Sequence, residues 1–508
     1  MNQADKHVVV IGAGPSGLTA AYELTKHGVK SVVLEKDGVV GGLARTEQFR
    51  GYHFDMGGHR FFTKAPEVNR MWREVLGDEF LHRARLSRIY YDGKYFDYPL
   101  KPWNALSGLG PYQAVRLALS YMKWQVFPHA DEETFEQWVT NRFGRRLFLL
   151  FFRAYTEKVW GVPCNELKAE WAAQRIKDLS FRTAVMNMIM KPRRTIKTLI
   201  DAFHYPRLGP GMMWRAVTDE VRKRGCEVDL DAPVMRIHRN GMRVTAVSVK
   251  NGSGERRVEG SDFVSTMPIT ELAMKLEPAA PPEVVEAAKR LNYRSFLTVC
   301  LIIDKEHLFP DNWIYIHDPG VNVGRIQNYK NWSPDMVADQ KKTGLGLEYF
   351  CDEGDEMWNT PDDELIAMAK RELETIGLAG GAKVDMGCVF RMPKAYPVYD
   401  SAYAEYLEVL KSYIAQFENL QTIGRNGLHR YNNQDHAMLT GMLAARNIAL
   451  GEKNDVWAVN TDQDYHEEIV EEVGPNAAHL ERAPSAVSTV GSSPSAAASW
   501  ARQASYRD

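Results

Sequence analysis

Residue types able to do chemistry gather at the two ends of the 508-residue chain. At the first end, Gly12, Gly14 and Gly17 stand in GxGxxG spacing within HVVVIGAGPSGLTAAYELTKHG, and Glu35 closes the next apolar run, SVVLE. Glycines at this spacing allow a tight turn, a close approach of backbone to pyrophosphate, and close packing of helix on sheet. Free N–H groups at the helix start favour phosphate oxygens. An acid about twenty residues on can accept hydrogen bonds from a ribose. A dinucleotide is the expected ligand here. At the other end, GRNGLHRYNNQDHAML (424–439) crowds Arg425, Tyr431, Asp435 and His436 before the apolar run MLTGMLAARNIAL. The spacing predicts a turn feeding a helix, whose positive end would face negative charge. The other reading is a capped surface helix with Asp435 in its first turn.

Two further stretches stand out. FDMGGHRFFTK (54–64) sets Gly57 and Gly58 before His59. A diglycine lets backbone approach a ligand closely; otherwise it is a turn with an exposed histidine. FFRAYTEKVWGVPCNELKAEWAAQRIK (151–177) holds Trp160 and Arg175. Alone, Trp160 reads as core filling.

These residues need a scaffold. HVVVI and SVVLE are short, continuous apolar runs flanking a helical pattern, as buried parallel strands require. The expected fold is α/β: a Rossmann-type dinucleotide-binding domain, a mainly helical substrate domain and an antiparallel sheet layer. Residues 76–204 read as mostly helical. GMRVTAVSVKNGSGERRVEG reads as a meander with a hairpin at NGSGER. SFLTVCLIID, WIYIHD, VGRIQNY and LGLEYFC read as the antiparallel sheet. The expected division assigns 1–75, 205–275 and 386–471 to the nucleotide domain, 76–204 to the helical part and 276–385 to the sheet. Residues 472–508, rich in Ala, Ser and Pro, read as a disordered tail.

Composition excludes some classes. Hydrophobic residues are 44% and charged residues 25%, with a net charge of −2, so no nucleic-acid partner is expected. Five dispersed cysteines form no CxxC pair, so neither a metal site nor a disulfide framework is indicated. A cytoplasmic setting is expected. No stretch is apolar enough to span a bilayer. YQAVRLALSYMKWQVF (112–127) mixes Met, Trp and other aromatics with bases, and AVMNMIMKPRRTIKTLI (184–200) mixes Met with bases. They read either as helices covering a core or cleft, or as peripheral membrane contacts.

GVVGGLARTEQF places Gly41, Gly42 and Arg45 just after Glu35. A second diglycine followed by arginine resembles FAD enzymes of the amine-oxidase and mutase type, which makes FAD the expected cofactor. Five stretches then resemble, in order, the UDP-galactopyranose mutases: DMGGHRFF, the 151–177 segment, VGRIQNYKNWSP, KAYPVYD and GRNGLHRYNNQDHAM. The resemblance spans about residues 7 to 450. It implies isomerisation of a UDP-sugar on reduced FAD, with flavin N5 attacking the anomeric carbon and NADH or NADPH as reductant. It implies that Arg175 and Arg325 bind the substrate diphosphate, since arginine supplies forked, always-charged donors. Tyr396 and Tyr431 would bond the phosphates and line the sugar pocket, with Trp160 beside the substrate. His59 would sit near flavin N5, and Arg425 and Asp435 would contact or order the flavin. A homodimer is implied by the resemblance alone. Arg60 after the histidine departs from the mutase pattern. The alternative is an FAD oxidoreductase of the amine oxidase, protoporphyrinogen oxidase or desaturase type acting on an apolar substrate.

Overall fold

The computed structural model describes residues 6–98, 104, 108–169, 202–252 and 254–460. They belong to one compact unit, residues 1–468. The expected tail and Arg175 lie outside the described residues.

Five parallel strands form the nucleotide-side sheet. In spatial order they are Leu420–Thr422, Asp262–Ser265, β1 (His7–Ile11), β2 (Lys30–Leu34) and Glu227–Asp229. Helix α1 (Pro15–Lys26) makes the crossover from β1 to β2. Val8 and Val10 face a core shared with α1 and the helices Gly211–Lys223 and Gln434–Leu450. Val9 and Ile11 face the opposite core, with the small sheet of Val234–Asn240, Arg243–Asn251 and Gly254–Glu259 and the helix Tyr403–Ile414. Both faces are covered, which is why β1 and β2 read as unbroken apolar runs.

The second layer is a seven-stranded sheet. Its order is Val384–Pro397, Tyr293–Ile303, Thr343–Cys351, Arg325–Asn328, Trp313–Ile316, Ser87–Tyr91, Lys94–Asp97. The four strands expected from sequence are present. The layer is not wholly antiparallel, because Trp313–Ile316 runs parallel to Ser87–Tyr91. Odd positions of Tyr293–Ile303 (Leu297, Val299, Leu301) pack toward the helix Asp362–Thr375. Even positions (Phe296, Cys300, Ile302) face the core that carries Trp160 and Tyr396.

The helical reading of 76–204 needs correction at its start. Phe80–Ala84, Ser87–Tyr91 and Lys94–Asp97 are strands, the first paired with Ala202–Pro206. The signal was SRIYYDGKYFDY: two β-rich runs joined by Asp92-Gly93, both at positive φ (49° and 70°), the hallmark of a two-residue hairpin turn. The helices begin later, at Pro111–Val126 and Phe135–Phe143, the latter capped by a reciprocal Thr134–Gln137 box. Val384–Pro397 also crosses the expected boundary at 385, joining the sheet through Tyr293–Ile303.

Candidate active site

The GxGxxG turn is built tightly. Gly12 has φ +99°, and a Cβ there would lie 2.0 Å from Thr266 Oγ1; a Cβ on Gly17 would lie 2.0 Å from the Gly12 carbonyl oxygen. Gly14 caps α1 without any side-chain hydrogen bond, leaving the first turn of the helix open to an anion. Glu35 is buried. Its Oε2 accepts from Ala13 N at 2.6 Å and its Oε1 from Asp37 N at 3.0 Å. Burial pushes its carboxyl pKa up.

The second diglycine lies against the first turn. Gly41 N donates to Ala13 O at 2.9 Å, and a Cβ on Gly42 would approach Gly14 Cα at 3.2 Å. Arg45 is engaged by acids on both sides, Nη1 to Asp37 at 2.8 Å and Nε to Glu47 at 2.6 Å. It holds this loop in place.

The helix Gln434–Leu450 starts where the sequence places it, capped by Asn433 with His436 answering. It packs directly on α1: a Cβ on Gly441 would meet Ser16 O at 2.3 Å. The first turn of α1 therefore packs about two turns into the 434–450 helix. Asp435 is 3% exposed in the first turn of the second helix.

Residues distant in sequence converge across from these helices. Tyr396 and Tyr431 stack with centroids 5.6 Å apart and planes 9° apart. Trp160 lies 6.1 Å from Tyr396 and 6.3 Å from Tyr431. The Arg425 guanidinium sits over both tyrosines, 4.7 Å from Tyr431 and 5.5 Å from Tyr396. It is fixed by Asn432 O at 2.9 Å and Ala395 O at 3.1 Å. Burial, with the neighbouring tyrosine, raises Tyr396 to about 12.

Arg325 is brought to the same place by the middle of the seven-stranded sheet. Its Nε reaches Glu348 at 3.0 Å and its Nη2 at 2.5 Å. Glu348 has no exposed surface, and Gln327 also donates to it. The Arg325 Nη1 faces the diglycine loop, where a Cβ on Gly58 would come within 3.8 Å of it. Gly57 has φ +98° and turns the chain toward His59. The half-buried His59 bonds Met56 O through Nε2 at 2.7 Å. Burial, reinforced by Arg425 and Arg325, lowers its pKa to about 4, so it is neutral near pH 7.

The structure thus gathers His59, Trp160, Arg325, Tyr396, Arg425 and Tyr431. Sequence reasoning missed Glu348, the carboxylate of Arg325, and Tyr155, whose ring stacks on His317 at 4.6 Å and feels Arg325 and Tyr396. Tyr155 lies on the helix Ala154–Trp160, within a stretch already singled out. Glu348 carried a signal as well: an acid in an apolar strand, LGLEYF, needs a buried partner.

The model of the flavin containing amine oxidoreductases matches residues 15–449. The chain belongs to that family. FAD is the cofactor the family implies, and the open α1 N-terminus and the Gly12–Gly42 cradle fit its diphosphate. An L-amino acid oxidase of Bothriechis schlegelii is 24% identical over 352 residues, and another, of Daboia russelii, is 24% identical over 354. The chain spans 63% and 62% of the length of these relatives, over 63% of its own. Among solved structures, a reduced UDP-galactopyranose mutase superposes with a TM-score of 0.78 at 20% identity, over 91% of this chain and 99% of that one. A putative protoporphyrinogen oxidase from Exiguobacterium sp. 255-15 gives 0.68 at 16%, over 89% and 100%. These likenesses show a shared fold that hosts both a mutase and oxidoreductases. No helix among the described residues is long and apolar enough to cross a membrane.

Proposed function

We infer that this flavoenzyme isomerises a UDP-sugar on reduced FAD. The observation that carries the reading is the wall of Trp160, Tyr396 and Tyr431 with the Arg325 and Arg425 guanidinium groups beside it. Flat aromatic faces suit a uracil or sugar ring, and fixed guanidinium groups suit a diphosphate that leaves and returns. Glu348 holds Arg325 so that its outer nitrogen is presented toward the Gly57–Gly58 loop. By the resemblance, Arg175 supplies the second fork for the diphosphate, and Arg425 contacts the flavin. The neutral His59 leaves the field of the site to the arginines. Tyr396, whose hydroxyl is kept protonated at neutral pH by burial, and Tyr431 donate hydrogen bonds to phosphate oxygens. Asp435 and the Gln434 helix start order the cofactor, Glu35 takes its ribose, and Arg45 braces its loop. FAD, when bound and reduced, supplies the nucleophilic chemistry. NADH or NADPH as reductant, a homodimer and a cytoplasmic setting belong to the same reading.

A second reading is oxidation of an amine or apolar substrate. Its support is the commitment of Arg325 to Glu348, which offsets the charge a diphosphate would use, together with the L-amino acid oxidase relatives.

The test is calorimetric titration of UDP into the dithionite-reduced holoprotein. Arg175→Ala and Arg325→Ala should each weaken UDP binding by roughly tenfold or more, as loss of a charge-assisted bond requires, with FAD content unchanged. UDP affinity indifferent to both changes would overturn the reading.

A further inference from the structure

The helix Pro111–Val126 is amphipathic in the reverse sense. Tyr112, Val115, Leu119, Met122 and Val126 are 70%, 59%, 57%, 53% and 68% exposed, and Phe127 beyond the helix end is 69% exposed. Their spacing of three and four residues puts them on one stripe. The opposite face meets the protein body through Ala114, Leu117, Tyr121 and Trp124 together with two polar contacts. Gln113 accepts from Arg146 Nη2 at 2.8 Å, and Ser120 Oγ accepts from Arg146 N at 3.1 Å. Leu117 is the one residue of this helix that is buried. An ordinary surface helix does the opposite and turns its apolar stripe inward.

Charge indicates what covers the stripe. Residues 98–130 contain Lys101, Arg116 and Lys123 and no Asp or Glu. Arg116 and Lys123 sit at the stripe's edge, each over an aromatic ring of the same helix, Tyr112 at 5.4 Å and Trp124 at 5.8 Å. The exposed acids Asp131, Glu132 and Glu133 follow only beyond Phe127, so along the helix itself an exposed apolar stripe with aromatic ends and cations at its edge matches an interface whose surface is anionic and whose interior is hydrocarbon.

We propose that the Pro111–Val126 helix docks the protein on an anionic lipid bilayer, lying in the headgroup plane with its 112/115/119/122/126 stripe inward. A five-residue stripe without a spanning helix gives reversible, salt-sensitive attachment.

The test is flotation of the full-length holoprotein with two kinds of vesicle: phosphatidylcholine alone, and phosphatidylcholine with phosphatidylglycerol. The wild type should float with the mixed vesicles and be released by added salt. Val115→Ser/Leu119→Ser/Met122→Ser should weaken binding by roughly tenfold or more, and Arg116→Gln/Lys123→Gln should remove the preference for anionic lipid. Both variants replace exposed side chains, and an unchanged flavin spectrum verifies their fold. Absence of flotation, or flotation untouched by the triple change, overturns the proposal. So does a wild-type dimer that the triple change converts to monomer, since a second copy would then cover the stripe.

Discussion

Arg325 and Glu348 face each other on neighbouring strands and are joined through two guanidinium nitrogens, Nε at 3.0 Å and Nη2 at 2.5 Å. The carboxylate has no contact with solvent and the guanidinium little. Glu348→Ala would strand a buried cation and should destabilise the fold by about 3–5 kcal/mol, measurable by denaturant titration. Arg325→Lys keeps the charge but loses the fork and should recover only part of the stability lost by Arg325→Ala.

The stacked pair of Tyr396 and Tyr431 separates shape from hydroxyl chemistry. Tyr431→Phe keeps the stack and the Arg425 contact and loses only the hydroxyl, so it should cost less stability than Tyr431→Ala. Tyr431→Ala removes an aromatic pair and a cation–π contact, together about 1–2 kcal/mol. In turnover assays the alanine variant should raise KM by roughly tenfold, while the phenylalanine variant should act on kcat if the hydroxyl assists the departing diphosphate.

Gly441 sets how closely the 434–450 helix lies on α1. A Cβ there, 2.3 Å from Ser16 O, has backbone in its way. Gly441→Ala should cost about 1–3 kcal/mol and lower the FAD-to-protein ratio read from visible absorbance. A variant with full FAD occupancy would mean the helix can shift without disturbing the cofactor end.

Much of this was legible in the sequence. The parallel core followed from continuous apolar runs, because strands covered on both faces leave no polar alternation. The turn feeding the 434–450 helix followed from the polar cluster before MLTGMLAARNIAL, while its Asn433 cap emerged only in the structure. The hairpin at Asp92-Gly93 was legible too, but its strands lie in a stretch dominated by aromatics, where strand and helix periods blur over short runs. The pairing of Arg325 with Glu348 could not be located, since no local rule says which strand lies beside which. Convergence of Trp160 with Tyr396 and Tyr431 is equally a product of topology.

Asp55, just before the diglycine loop, gives a pH signature. Burial raises its pKa to about 7, although Tyr205 and Thr46 donate to its carboxylate. In the unfolded chain an aspartate titrates near 3.9. Between these values the folded state holds the extra proton, so stability falls as pH rises from about 4 to about 7. Asp55→Asn should flatten that dependence in thermal melts across the window. An unchanged slope would place the titrating group elsewhere.

The most direct measurement of the proposed reaction is product analysis. The purified holoprotein is reduced anaerobically with dithionite and given UDP-galactofuranose, and the products are separated by chromatography. UDP-galactopyranose formed by the reduced protein and not by the oxidised one is the expected result. No conversion, together with flavin bleaching of the oxidised protein by an L-amino acid or an apolar substrate, would contradict the mutase reading and establish oxidation in its place.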